Sequence, residues 1–159
     1  MPAAATGLAW PTAKGALVDA KDVAAYILRR LGTVSAMKLQ KLVYYSQAWT
    51  LAWTDRPLFH NRIEAWANGP VVRDLYATHR GEFEISSVPG DENALNEEAI
   101  AIVDAVLAAY GRQSPQALSD QTHSEAPWLE ARRGAPPGAR CDNEISQRAM
   151  RAYYRSLSS

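Results

Sequence analysis

Residues 38–53 read KLQKLVYYSQAWTLAW. Four large aromatic residues, Tyr44, Tyr45, Trp49 and Trp53, fall within sixteen positions that carry only two charges, Lys38 and Lys41. Ser35 is placed to cap a helix over 36–54. At about 100° per residue, Leu39, Leu42, Val43, Ser46, Trp49, Thr50 and Trp53 share one arc of about 120°, the core face. The opposite arc carries Gln40, Lys41, Tyr44, Gln47, Ala48 and Leu51, neither fully apolar nor densely charged. A helix without an ordinary wet face belongs at the centre of a fold. Its second side is covered either by more of the same chain or by another protein.

Upstream, residues 1–16 are rich in Ala, Gly and Pro and read as a flexible arm, with Trp10 a candidate anchor. Asp19 caps a helix over 20–31, whose buried stripe is Val23, Ile27 and Leu31 and whose stop is Gly32. Downstream, RPLFHNRIEAWANGP suggests a hairpin in which Leu58-Phe59 and Ile63–Trp66 flank a His60-Asn61 turn. Pro70 then opens a helix over 70–80, with Val71, Leu75 and His79 at spacing four. Phe83 and Ile85 alternate with acids as a small strand. Asn96 caps a helix over 97–110 with Glu97 and Glu98 at its positive end, and Ile100, Val103, Val106, Leu107 and Tyr110 as its apolar face. Further helices are expected over 115–123, around PWLEARR, and over 143–157. In the last, Asp142 is the cap and Ile145, Ala149, Tyr153 and Leu157 form the stripe. The expected fold class is mainly α: a single compact helical domain of six to seven helices with a small β-hairpin or short antiparallel sheet.

The chain of 159 residues is the right size for one domain with its own core, and 47% hydrophobic content is ordinary for a globular protein. The single cysteine, Cys141, excludes an intramolecular disulfide and a cysteine zinc cluster, and suits a reducing cytosol. The opening MPAAATGLAW has no basic region or long apolar run, so no signal peptide is expected, and no apolar stretch is long enough to span a bilayer. Formal charge is zero but segregated: +5 over residues 1–80, −9 over 81–130 and +4 over 131–159. The basic ends pair with the acidic middle inside the fold, or else the polarised surface steers a charged partner. Neither reading supplies the strong basic excess of a nucleic-acid binder, so nucleic acid is not an expected partner of this chain by itself.

Chemistry is sparse. There is no Gly-rich phosphate loop, G-x-S-x-G elbow or H-E-x-x-H, and the histidines are scattered at 60, 79 and 123. A Cys141–His123 pair would need proximity and an activated thiolate, and the sequence points to neither. His123 ends a helix and reads as a polar clamp on the turn into Pro127-Trp128. Trp66 reads as packing, Gly69-Pro70 as a turn, and Trp49 as core. No enzyme, cofactor or metal is expected.

MKLQKLVYYSQAWTLAW, LFHNRIEAWANGPVVRDLY, LSDQTHSEAPWLEAR and ISQRAMRAYYRSL, in that order, resemble the Panacea domain, the SocA-like antitoxin family that includes GepA-type phage-associated proteins. The resemblance runs over 19–157 and leaves the N-terminal arm outside. It implies the antitoxin half of a two-gene bacterial or phage module, working in the cytoplasm. The implied partner is a cognate protein toxin, small alarmone-synthetase-like enzymes being one kind. Some relatives carry an added DNA-binding domain, and no separate helix-turn-helix module is seen here. No catalytic residues carry over.

An inhibitor of this kind needs a surface rich in Tyr, Trp and Arg. The outer arc of the aromatic helix offers Lys41, Tyr44, Gln47 and Leu51 as toxin-binding candidates. If the chain itself covers that arc, the candidates pass to Arg148, Arg151 and Arg155 of the last helix. Two rival readings stand beside direct neutralisation: an adaptor that delivers the toxin to an energy-dependent protease, and a small transcriptional regulator.

Overall fold

The structure, a computed structural model, describes residues 17–158. The arm expected over 1–16, with Trp10, lies outside them. Seven helices and two small sheets follow in order: α1 (Ala20–Leu31), β1 (Val34–Ser35), α2 (Ala36–Thr54), β2 (Ile63–Trp66), β3 (Gly69–Val72), α3 (Arg73–His79), β4 (Glu84–Ile85), α4 (Glu97–Tyr110), α5 (Pro115–His123), α6 (Ala126–Ala131) and α7 (Gln147–Ser158). The mainly α class expected from periodicity is what the chain adopts.

The helix starts follow cap chemistry. Asp19 accepts from the Lys21 amide while its own amide donates to Asp22, a reciprocal box at the head of α1. Ser35, Asn96 and Ser114 each accept from the amide three residues on, at 3.1, 2.9 and 3.1 Å, and so open α2, α4 and α5. Helix α2 is the hub: α1, α4, α5, α7 and β3 all pack against it. Both of its faces are consequently buried. Tyr44 and Tyr45 are as inaccessible as Leu39 and Leu42, and exposure returns only at Trp53. Trp53, assigned to the core face by its angle, lies in the last turn of α2, past most of the packing, and is 48% exposed.

The hairpin is displaced from its expected place. β2 pairs with β3, from Ile63 opposite Val72 to Trp66 opposite Gly69, across an Ala67-Asn68 turn. The His60-Asn61 turn does not form, because Gln47 has already claimed the proposed first arm. Its carbonyl accepts from the Leu58 and Phe59 amides at 2.7 and 3.2 Å, and its amide donates to the Phe59 carbonyl at 2.7 Å. Asn61 is likewise engaged elsewhere, accepting from the Ala20 amide at 2.8 Å. Pro70 lies inside β3 and the following helix starts at Arg73, so proline occupies an edge strand rather than a helix start.

The C-terminal helix also starts later than periodicity suggests. Residues 143–145 run along β2: Ala65 donates to the Asn143 carbonyl and Ile145 donates to the Ile63 carbonyl, each at 2.8 Å. Ser146, not Asp142, then accepts from the Ala149 amide at 3.0 Å. The buried side chains of α7 are Met150 and Tyr154, while Leu157 is 51% exposed, so the stripe sits one residue off the expected one. β4 pairs with β1, burying Ile85 and leaving Phe83, just before it, 88% exposed. Leu31 of the α1 stripe also faces outward.

Candidate functional site

A cleft of about 650 Å³ opens between the N-terminal half of α2, α3, the β2–β3 hairpin and the loop over 138–142. Its position follows from how each element is held. The hairpin is close to α2 because Gly69 has φ of 116° and no side chain; a Cβ there would lie 2.5 Å from Lys41 Cε and 2.9 Å from Thr122 Oγ1. Gln40 fastens β3 from the α2 side, accepting from the Val72 amide at 2.8 Å. The loop is held by Arg132, whose buried guanidinium donates to the carbonyls of Ala65, Pro136 and Ala139 at 2.9, 3.1 and 2.7 Å and lies over the Trp128 ring.

Three titratable side chains in this cleft are almost wholly inaccessible. Lys41 is 2% exposed, and its Nζ donates to the Pro70 carbonyl at 3.2 Å. Burial alone pushes its pKa down to about 7. Burial by itself would raise the Glu64 carboxyl, but donors outweigh it: Trp66 Nε1 and Arg62 Nε at 2.8 Å and Arg73 at 3.3 Å hold it below the usual carboxylate range. Burial lowers the pKa of His79. Because the Gln40 carbonyl is committed to Val72, its NH₂ points to His79 Nε2 at 3.0 Å. The neutral ring therefore carries its proton on Nδ1, which is buried with no partner beyond its own backbone among the described residues. Trp66 and Tyr76 supply an aromatic wall, their rings 4.9 Å apart at 68°. Arg73, Arg80 and Arg140 complete the lining on its charged side.

A second constellation ties the helices together. Tyr44 and Tyr154 hydroxyls meet at 3.1 Å, Tyr154 donates to Glu125 Oε1 at 2.6 Å, and Tyr45 donates to the same oxygen at 2.9 Å. With Tyr154 committed as donor to the carboxylate, Tyr44 is the donor to Tyr154. Burial raises the Glu125 pKa, the two tyrosine bonds opposing it. Trp49 Nε1 donates to the Tyr110 hydroxyl at 2.9 Å, and Tyr45 stacks on Tyr110 with ring centroids 4.0 Å apart.

The outer-arc residues Lys41, Tyr44, Gln47 and Leu51 are thus inside this chain, which corrects their reading as an outward contact surface. The reason is the hub position of α2: hairpin and α7 cover the arc. Trp49 joins the tyrosine layer. Trp66 walls the cleft, while Gly69 and Pro70 begin β3 rather than forming the turn itself. His123 stacks on Trp128 at 4.2 Å and bonds the Ala67 backbone; burial first, then the Lys41 charge, lowers its pKa. Trp128 Nε1 donates to the Trp66 carbonyl at 2.8 Å. Of the α7 arginines, Arg155 clamps the end of α2, donating to the Ala52 carbonyl at 3.2 Å and pairing with Asp55. Arg151 lies 3.8 Å from Asp55, and Arg148 is exposed with no ion pair among the described residues. Sequence reasoning missed two exposed side chains: Trp53, whose ring is tilted by 36° to that of Trp49 with centroids 5.0 Å apart, and Leu157. It also missed the cleft, whose members come from three separate stretches of chain, 36–41, 64–80 and 138–142.

Among the described residues no group of His, Cys, Asp or Glu is placed to hold a metal ion, and no helix is long and apolar enough to cross a membrane. What the fold defines is a mainly α protein built around one buried aromatic helix. Residues 39–129, more than half of the chain, match the family model described as antitoxin SocA-like, Panacea domain, and the chain belongs to that family. No curated protein and no solved structure matches it.

Proposed function

We propose that this chain is the antitoxin of a two-gene module and silences its cognate toxin by direct protein–protein contact in the cytoplasm. Membership in the SocA-like family carries the proposal. The surface best suited to the task is the outer side of α2 and α7, which exposes Trp53 on the first helix and Leu157, Arg148 and Arg151 on the second. Trp and Arg dominate binding hot spots because each buries a large area while keeping a polar or charged edge. Phe83 is more exposed but lies on neither of these helices, and scattered apolar side chains are normal on protein surfaces. A stable complex on this face would bury about 1,600 Å² in total. The chain contributes contact and no reaction of its own.

The test is co-expression with the product of the neighbouring gene. The wild-type chain restores growth. The Trp53→Ala, Leu157→Ser double variant keeps its thermal transition and loses rescue, whereas Phe83→Ser rescues fully. Continued killing by the neighbouring product in the presence of folded wild-type protein would refute direct neutralisation. Toxin abundance is followed in the same cultures: unchanged levels are expected for a blocker, and protease-dependent loss would move the reading to an adaptor.

A further inference from the structure

We propose that the cleft between α2, α3, the β2–β3 hairpin and the 138–142 loop binds a small organic anion, an aromatic or similarly flat body carrying a phosphate or carboxylate. The buried unmet polar groups of the cleft are donors. The Lys41 ammonium has three protons and one recorded acceptor, the Pro70 carbonyl, and no carboxylate pairs with it among the described residues. His79 presents a buried Nδ1–H with no partner beyond its own backbone among the described residues. Arg140 lines the cleft without an ion pair among the described residues. Glu64 does not meet this need, because Arg62, Trp66 and Arg73 already occupy its oxygens. Four cations, Lys41, Arg73, Arg80 and Arg140, thus face two acids: Glu64, which engages Arg73, and the exposed Asp142.

Orphaned buried donors are costly, and a ligand that supplies acceptors relieves the cost. The shape of the cleft agrees with this. Its volume of about 650 Å³ lies within the roughly 300–1,000 Å³ typical of small-molecule sites. The Trp66 and Tyr76 rings give a flat ligand an apolar wall, and Arg80 lies 6.0 Å from the centre of the Tyr76 ring, where it pairs with both the ring and an incoming anion. This site is distinct from the Trp53–Leu157 face, so it stands or falls separately from toxin neutralisation.

The probe is 1-naphthyl phosphate, titrated into the full chain by calorimetry, with inorganic phosphate and 1-naphthol as half-probes. Saturable binding at one molecule per chain is expected, with each half-probe at least tenfold weaker. Arg140→Gln, at an exposed position, and Lys41→Met are each expected to weaken binding at least tenfold, while Arg29→Gln on α1 leaves it unchanged. Thermal melts confirm that the variants are folded, and Arg140→Gln alone suffices should Lys41→Met misfold. No saturable binding up to millimolar probe, 1-naphthol binding as tightly as its phosphate, or an affinity indifferent to Arg140→Gln would each overturn the proposal.

Discussion

Lys41 and Glu125 show how a single buried charge sets the behaviour of this protein. The folded pKa of Lys41 lies near 7, below the ordinary value, so the unfolded chain binds more protons between pH 7 and the usual lysine range. Its burden on stability is therefore fully present below pH 7 and fades as pH rises. Lys41→Met is expected to stabilise the chain by about 1–3 kcal/mol at pH 6, after the lost bond to Pro70 is subtracted. It should also abolish the rise in stability between pH 7 and 10, which urea denaturation at several pH values measures. Glu125 has the opposite sign: its pKa is raised by burial, so the fold favours its protonated form and loses stability as pH climbs through that raised value. Glu125→Gln keeps the acceptor for Tyr45 and Tyr154 and should flatten this loss. Glu125→Ala leaves two buried hydroxyls without an acceptor and should cost about 2–4 kcal/mol. Gly69 is a third sensitive residue. Gly69→Ala places a methyl group against Lys41 at a positive φ and should destabilise by about 1–3 kcal/mol in the same assay.

At the scale of elements, the amphipathic helices were legible and the hairpin register was not. Asp19, Ser35, Asn96 and Ser114 mark helix starts because a short polar side chain satisfies a nearby amide, a local event that sequence records. The hairpin depended on which backbone groups were free to pair. Gln47, eleven residues away, removed Leu58 and Phe59 from the competition through three hydrogen bonds, and no local pattern announces that. The C-terminal helix start moved for the same reason, since residues 143–145 were drawn to β2. The loop before it depends on Arg132. Its guanidinium is buried and engages three carbonyls, two of them within the loop, so Arg132→Met should release the segment that carries Arg133 and Arg140. Limited trypsin digestion is the check: cleavage at those two arginines should accelerate at least several-fold while the helical signal persists.

For the whole molecule, the segregated charges are joined in part by contacts between distant segments. Arg30 pairs with Asp104 at 2.8 Å, Arg56 with Glu98 at 3.0 Å and Arg29 with Glu92 at 3.7 Å, linking the basic N-terminal half to the acidic middle. These pairs are half exposed and contribute little each, so raising salt should change the unfolding midpoint only slightly. The large term is the burial of α2. Removing residues 147–158 strips Tyr154 from Tyr44, Tyr45 and Glu125 and uncovers one side of the hub. That truncation should abolish the cooperative thermal transition followed by circular dichroism, because a central helix that loses a major packing partner no longer holds the rest in register.

Sequence by itself determined the helical class, the placement of most helices and the central role of residues 36–54, because periodicity and capping act within a few residues. It also carried the family, through ordered motifs that need no coordinates. Tertiary structure alone decided that both faces of α2 are interior, that Trp53 and Leu157 are exposed, and that Lys41, His79 and Arg140 share a cleft. Those outcomes depend on competition among backbone groups and side chains far apart along the chain. Their free energies are settled only when all the partners are present.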